Sequence, residues 1–285
     1  MHERSATVLS TGPLATLQDL GRCGWAHLGV PRSGAADLNA HVLANRLVGN
    51  LSTAPTVEIT AGGFAMRMHS AATVALTGAV APLRVDGVER GWATPLSVHA
   101  GEVVEVGTFA AGLRGYLAIS GGPIAVPVLG SVATDSLSGI GPPALREDDL
   151  LRFGPVRGTP VEAIGVVPRI EGPLRLTWGP RTDWITEAAR ERLLMSSYVV
   201  LPDSNRVAVR LHGPPMTWQI KRELPSEGVV LGGVQVPPNG RPLIFLADHP
   251  VTGGYPVVAV VHPADLALAA QRRPGDTVEF TLAAG

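Results

Sequence analysis

Glu227 stands between Ser226 and Gly228, a carboxylate set in a short polar run. A partly buried carboxylate has a raised pKa and can accept a proton near neutral pH, which is what a general base must do. The same Pro225-Ser226-Glu227-Gly228 run also reads as an exposed turn. A second polar cluster, Asp248-His249, lies just before Thr252-Gly253-Gly254-Tyr255. His249 could shuttle a proton. Glu227, Asp248 and His249 are therefore the candidate catalytic residues. Reactions that build negative charge on oxygen use preorganised N–H donors, each contributing about 2.7–4 kcal/mol in a dry site. Glycine turns can present such donors because they reach positive φ. Gly-Gly pairs occur at 62-63, 121-122, 232-233 and 253-254. Any of them can be a plain tight turn. Gly253-Gly254 is singled out by its neighbours Asp248, His249, Thr252 and Tyr255.

Other side chains suit an anionic ligand. Asp19 and Arg22 flank an irregular segment, and the Arg22 fork could take a carboxylate or phosphate. Alternatively the two form an ion pair that pins the N-terminal loop. Arg206 could hold an anionic group or pair with Asp203. Ser33 could touch a substrate or cap a helix. The candidate substrate-binding residues are thus Asp19, Arg22, Ser33, Arg206, Thr252, Gly253, Gly254 and Tyr255. Glu58 alternates with apolar neighbours, as on the solvent face of a strand.

These residues must be positioned by short elements. Ser33-Gly34-Ala35-Ala36-Asp37 reads as a helix start with Ser33 as cap. The helix then carries Leu38, Val42 and Leu47 and ends at Gly49-Asn50. Beyond it the apolar period becomes two at Phe64, Met66 and Met68. Strands are expected at 73–77, 103–106, 116–120 and 150–153. Asp86-Gly87 has the residues a type I′ hairpin needs. A second helix should start after Thr186 and run over 187–194. Strands follow at 207–211, 229–236, 243–247 and 257–261, with a hairpin turn at Asn239-Gly240. A short helix should begin at Pro263, and 277–282 closes the chain as a strand. No alternation of strands with long helices is visible, which argues against a parallel sheet. The chain of 285 residues suggests two domains of roughly 100–200 residues each. The loose, proline-bearing stretch 155–172 places their boundary at 160/161, giving one β-rich domain over 1–160 and a second over 161–285.

Composition excludes whole classes of function. The net charge is −1 and no basic stripe exists, so nucleic acid is not an expected partner. Lys221 is the only lysine. It lies in neither a GxxxxGK[ST] loop nor a Met-Lys-Met setting, so the chain is neither a P-loop ATPase nor a biotin carrier. No GxSxG, HExxH or strand-borne GxGxxG is present, and no metal site is expected. A single cysteine, Cys23, fits a reducing compartment. No run approaches the ~20 apolar residues of a membrane span. The expectation is a cytoplasmic protein with no membrane partner.

Eight segments then carry a resemblance. They are Gln18-Asp19-Leu20-Gly21-Arg22, Gly29-Val30-Pro31-Arg32-Ser33-Gly34-Ala35-Ala36-Asp37, Leu43-Ala44-Asn45-Arg46-Leu47-Val48-Gly49-Asn50 and Leu76-Thr77-Gly78-Ala79 in the first half. In the second half they are Asp203-Ser204-Asn205-Arg206-Val207, Glu223-Leu224-Pro225-Ser226-Glu227-Gly228, Gln235-Val236-Pro237-Pro238 and Thr252-Gly253-Gly254-Tyr255-Pro256. In order and spacing they resemble the family of 5-oxoprolinase C subunits, within the biotin-dependent carboxyltransferase group, over about 18–280. The resemblance implies a mainly β, cyclophilin-like β-barrel architecture with a few short helices. It implies ATP-driven opening of 5-oxo-L-proline to L-glutamate. ATP would be bound by or shared with a partner chain, and the implied partners are a homologous B-type chain and an A-type chain. The isolated chain is then expected not to bind ATP tightly. The family also implies two alternatives. One is a carboxyltransferase or allophanate hydrolase subunit 2 that uses biotin carried by another chain. The other is a non-enzymatic antagonist of a kinase-inhibitor protein. The sequence departs from the family pattern Gln-Thr-Thr-Gly-Gly-Tyr at Pro250-Val251, which removes two side-chain hydrogen-bonding groups. His249 replaces a common arginine, and Cys23 and Trp25 stand where proline and tyrosine are usual.

Overall fold

Period-two burial shapes the first half of the chain in a computed structural model that describes residues 3–161 and 171–283. Phe64–Met68 buries Phe64, Met66 and Met68 and turns Arg67 to solvent. It is the third strand of a six-stranded antiparallel sheet, in the order Leu150–Arg152, Ser5–Thr11, Phe64–Met68, Val103–Val106, Leu83–Val85 and Val88–Gly91. The last two strands meet at Asp86-Gly87, both at positive φ (50° and 76°), as the type I′ turn requires.

A five-stranded antiparallel sheet runs Leu14–Gln18, Thr56–Thr60, Ala111–Ile119, Ala72–Val80, Leu96–Val98. Its Leu76, Leu117 and Ile119 share one core with Met66 and Val104 of the six-stranded sheet. Each such side chain contributes about 1.5–3 kcal/mol by burial. The opposite face, with Ala75, Tyr116 and Ala118, is covered by Ala40, Ala44 and Leu47 of helix α1, Leu38–Leu47. Being covered on both faces, the central strands read as apolar runs, so a period-two pattern does not show their full lengths.

Helix α1 is capped by Asp37, whose carboxylate accepts the Ala40 N–H at 3.0 Å. Ser33 is not the cap. It sits at φ 52°, and its hydroxyl donates to the Thr134 carbonyl at 3.2 Å. The chain is still turning there: Gly34 is at φ 91°, and a Cβ on it would lie 2.7 Å from the Gly21 nitrogen. The helix ends through Gly49 at φ 76°, as its sequence indicates.

Buried His41 faces the Ser52 carbonyl with Nε2 (3.0 Å) and the Thr56 hydroxyl with Nδ1 (2.9 Å). A carbonyl only accepts, so Nε2 carries the proton and Nδ1 accepts from Thr56. Burial lowers the His41 pKa, while the Ser52 bond and the charges of Asp19 and Glu58 oppose that shift. The unfolded chain therefore binds a proton more readily than the folded one. His41 contributes fully above its unfolded pKa of about 6.5, and the contribution is lost as pH falls from there toward the lower folded value. Urea unfolding at pH 8 and pH 5 should show a loss of stability that is smaller in His41→Asn.

The second half forms an eight-stranded sheet, ordered Thr277–Val278, Tyr198–Val200, Ala208–His212, Leu243–Phe245, Gly233–Gln235, Val257–Val261, Leu174–Trp178, Phe280–Leu282. Its two outermost strands are consecutive in the chain, separated by Glu279 alone, so the sheet curls round into a nearly closed barrel. The single strand expected at 277–282 is thus two strands that serve opposite ends of one sheet. Phe280–Leu282 pairs in parallel with Leu174–Trp178, while the other pairs of this sheet are antiparallel. That pair is the one exception, among the described residues, to the expected absence of parallel pairing. Helix α2, Glu187–Met195, is capped by Thr186 as expected. Pro263 opens a 3₁₀ turn that leads into α3, Leu266–Ala270. The strand expected at 229–236 shortens to Gly233–Gln235, because Val229 bonds instead to the Val251 carbonyl at 3.0 Å.

The protein is mainly β, with the barrel sheet that the resemblance implies. It divides into two compact units. One comprises Met1–Arg22, Ser33–Asp135 and Gly139–Pro168; the other comprises Cys23–Arg32, Ser136–Ser138 and Arg169–Gly285. The expected division at 160/161 adjoins 162–170, which lie outside the described residues.

Candidate functional site

Asp248 is fully buried in the turn that follows the barrel strand Leu243–Phe245. Arg206 grips it with two parallel bonds, Nε to Oδ2 and Nη2 to Oδ1, both 2.9 Å. Oδ2 also accepts the Ser136 N–H at 2.9 Å and the Ser136 hydroxyl at 2.6 Å. The Asp248 N–H returns to the Arg206 carbonyl at 3.0 Å. The bidentate geometry is the strong form of this pairing. A carboxylate so occupied orients its surroundings. Arg206 pairs with Asp248 rather than Asp203; Asp203 instead meets Arg210 at 3.3 Å.

The loop after Asp248 is fastened again further on. Thr252–Gly253 forms a two-stranded ribbon with Glu227–Gly228, with Glu227 opposite Gly253. The Glu227 carboxylate is gripped by Arg181, whose Nε and Nη2 lie 2.9 and 2.6 Å from Oε2. That bond, and the charge of Glu227, raise the pKa of Arg181. Gln235 donates from Nε2 to the Tyr255 carbonyl at 3.0 Å. A Cβ on Gly253 would lie 2.9 Å from that same Nε2 and 3.2 Å from Val229 Cγ1. A side chain at 253 would therefore have to displace the Gln235 amide from its bond to Tyr255. The positive-φ reason expected for the pair 253-254 does not apply; positive φ belongs to Gly62, Gly63, Gly121, Gly122 and Gly232 of the other pairs.

His249 donates from Nδ1 to the Pro250 carbonyl at 2.7 Å. Since that carbonyl can only accept, the tautomer is fixed and the Nε2 lone pair is left for other use. Burial lowers the His249 pKa, against the Pro250 bond and the Asp248 charge. The ring is neutral at pH 7 and can accept a proton.

A groove of about 820 Å³ opens beside the end of this loop. It is lined by Gly254 and Tyr255, by residues 215–218 and 221–224, and by 238–240. Tyr255 is 43% exposed. Lys221 and Arg222 bring two cations to the groove against the one carboxylate of Glu223.

The remaining candidates belong to the other unit. Asp19 is buried and accepts from the Gly21 N–H (2.8 Å), the Ser131 hydroxyl (2.6 Å) and the Val132 N–H (2.8 Å). Buried Arg22 donates to the Ala133 carbonyl. Ser33 joins the same turn through Thr134. These three side chains tie residues 19–22 and 33 to the segment 131–134. Glu58, expected on a solvent face, is 1% exposed. It accepts the Tyr116 hydroxyl at 2.8 Å and the Ala36 N–H at 3.0 Å, with Arg114 at 3.7 Å. Burial raises the Tyr116 pKa well above its ordinary value, and the charges of Glu58 and Asp37 add to that. Among the described residues no group of three or more His, Cys, Asp or Glu side chains could hold a metal, and no helix is long and apolar enough to cross a membrane.

Residue types and spacing point to the loop and its two carboxylates but not to the groove walls at 215–224. Lys221, the only lysine, is the one signal that could have found them.

The barrel, the two-sheet unit and the fastened glycine loop define a carboxyltransferase-type protein, and the chain belongs to the family described as carboxyltransferase domain, subdomain A and B, whose model matches residues 28–282. It is 36% identical over 279 residues to the C subunit of the Escherichia coli 5-oxoprolinase, covering 96% of this chain and 89% of that protein. It is 31% identical over 300 residues to the urea amidolyase of Saccharomyces cerevisiae, covering 94% of this chain and 16% of that protein. The crystal structure of the Kluyveromyces lactis urea amidolyase superposes with a TM-score of 0.93 at 28% identity, over 100% of this chain and 19% of that one. The chain thus spans most of the bacterial protein but a small part of the fungal enzymes.

Proposed function

We propose that this chain is the C subunit of an ATP-dependent 5-oxoprolinase that opens 5-oxo-L-proline to L-glutamate in the cytoplasm, together with a homologous B-type chain and an A-type chain. The observation that carries this reading is the end-to-end match to a separate bacterial protein of nearly the same extent. In the reaction, water adds to the lactam carbonyl carbon, the C–N bond breaks, and the nitrogen takes up a proton. ATP hydrolysis supplies the driving force and can activate the carbonyl oxygen. Within this chain, Lys221 and Arg222 offer charge to an anionic group in the groove, and backbone at Gly253-Gly254 lies on a loop held against movement. Neutral His249 can accept a proton at Nε2. Glu227, clamped by Arg181, and Asp248, clamped by Arg206, hold the loop in place. Preorganisation of this kind supports a shared active site, because positioned dipoles need no rearrangement during reaction.

A second reading is favoured by the family model and by the urea amidolyase match. In it the chain is a carboxyltransferase or allophanate hydrolase component that works with biotin on another chain. Reconstitution with the neighbouring gene products separates the readings. The first expects glutamate release that needs both ATP and 5-oxoproline and is indifferent to avidin. Loss of turnover on adding avidin would instead establish the second. Tight partner binding without turnover in either assay would overturn both and point to the kinase-inhibitor antagonist.

A further inference from the structure

The groove is large for a single-ring lactam. Its 820 Å³ lies in the upper part of the roughly 300–1,000 Å³ range of small-molecule sites. Its walls combine two kinds of surface. Trp218, Tyr255, Pro215 and Pro238 present rings; Lys221 and Arg222 present positive charge. Buried Trp184 contacts two of these residues. Its ring carries the Arg222 guanidinium at 5.7 Å and meets Trp218 edge-on, 6.0 Å between centroids at 84°. Arg222 is thereby held by a cation–π contact. Lys221 differs: it makes no hydrogen bond or ion pair with any described residue. Asn239, also in the lining, uses Oδ1 to accept the Arg241 N–H at 3.0 Å, which leaves its amide NH₂ as a donor.

Composition strengthens the point. Of 23 cationic side chains, 22 are arginine and one is lysine. Arginine matches planar, bidentate partners, whereas lysine is a compact point charge with three rotatable donors. Both bind phosphate, lysine as a point charge that can follow several oxygens at once, and the rings of Trp218 and Tyr255 suit an aromatic base.

We infer that this groove binds a ring-bearing polyanion of nucleoside polyphosphate size, with Lys221 as the counter-charge of the phosphates and the ring against Trp218 and Tyr255. The identification of that ligand as the ATP of the reaction rests on the function proposed above; the binding itself does not. The chain then contributes part of the nucleotide site rather than leaving it wholly to a partner, and affinity of the isolated chain is weak because the groove is open.

Equilibrium dialysis of the purified chain against ADP tests this. Binding should be saturable. Lys221→Ala should weaken it by about tenfold, the size expected for one charged hydrogen bond, while Lys221→Arg should retain most of it. Inorganic triphosphate should compete, but less tightly than ADP, because it lacks the ring. Circular dichroism should show each variant folded. An unchanged ADP affinity in Lys221→Ala, the absence of saturable binding, or triphosphate binding as tight as ADP would overturn the inference. Failure of glutamate release in the reconstituted complex would overturn the proposed reaction but leave this measurement standing.

Discussion

Arg206→Ala and Asp248→Ala should each lower the unfolding free energy by about 3–5 kcal/mol, because each leaves a buried charge without its partner. Both side chains are essentially removed from solvent, at 2% and 0% exposure. Removing Asp248 also deprives the Ser136 N–H and hydroxyl of their acceptor. The double replacement Arg206→Met with Asp248→Leu should cost clearly less than the sum of the two single changes, since no uncompensated charge remains. Urea denaturation of the four proteins measures the coupling. Additive losses would mean that the two groups do not interact as drawn. Because Asp248 begins the loop that ends at Tyr255, the double variant should regain stability without regaining activity in the reconstituted complex.

Glu58→Ala is expected to destabilise by about 3 kcal/mol, through the loss of a buried carboxylate that serves several donors at once. The Tyr116 hydroxyl donates to Glu58 at 2.8 Å and accepts the Asp37 N–H at 2.7 Å, and Ala36 donates to the same carboxylate oxygen. This relay fastens the start of helix α1 to the five-stranded sheet. Tyr116→Phe removes the hydroxyl alone and should cost about 1–3 kcal/mol, the desolvation cost of the groups it leaves unpaired. Thermal unfolding should rank the two variants in that order. A Glu58→Ala protein as stable as the parent would show that this carboxylate is solvated after all.

Local chemistry explains which elements are legible in the sequence. Asp86-Gly87 announces its hairpin because both residues tolerate positive φ, and both adopt it. Thr186 announces helix α2 because a hydroxyl just ahead of a helix satisfies a free N–H, as it does for Ala189. At α1 the sequence signal points one polar residue too early. Ser33 and Asp37 are both good caps, but the folded chain holds Ser33 and Gly34 at positive φ, so the helix begins only after Asp37. In the candidate site, Glu227, Asp248 and the Thr252–Tyr255 run are visible as polar groups near glycines. Their partners Arg181, Arg206, Ser136 and Gln235 lie from 20 to 112 positions away in the chain, and no local pattern announces them.

The sequence by itself determined the β-rich character, the Thr186 cap, the Asp86-Gly87 turn, the family and the absence of a GxxxxGK[ST] loop, because each of these is written in residue type and short spacing. Tertiary structure alone decided that 277–282 splits to serve both ends of one barrel sheet, that Glu58 lies inside, and that Asp248 is held by Arg206. A carboxylate in a turn and a carboxylate in a buried ion pair look the same in one dimension. What distinguishes them is desolvation and the long-range partner that offsets it, and both exist only once the chain has closed on itself.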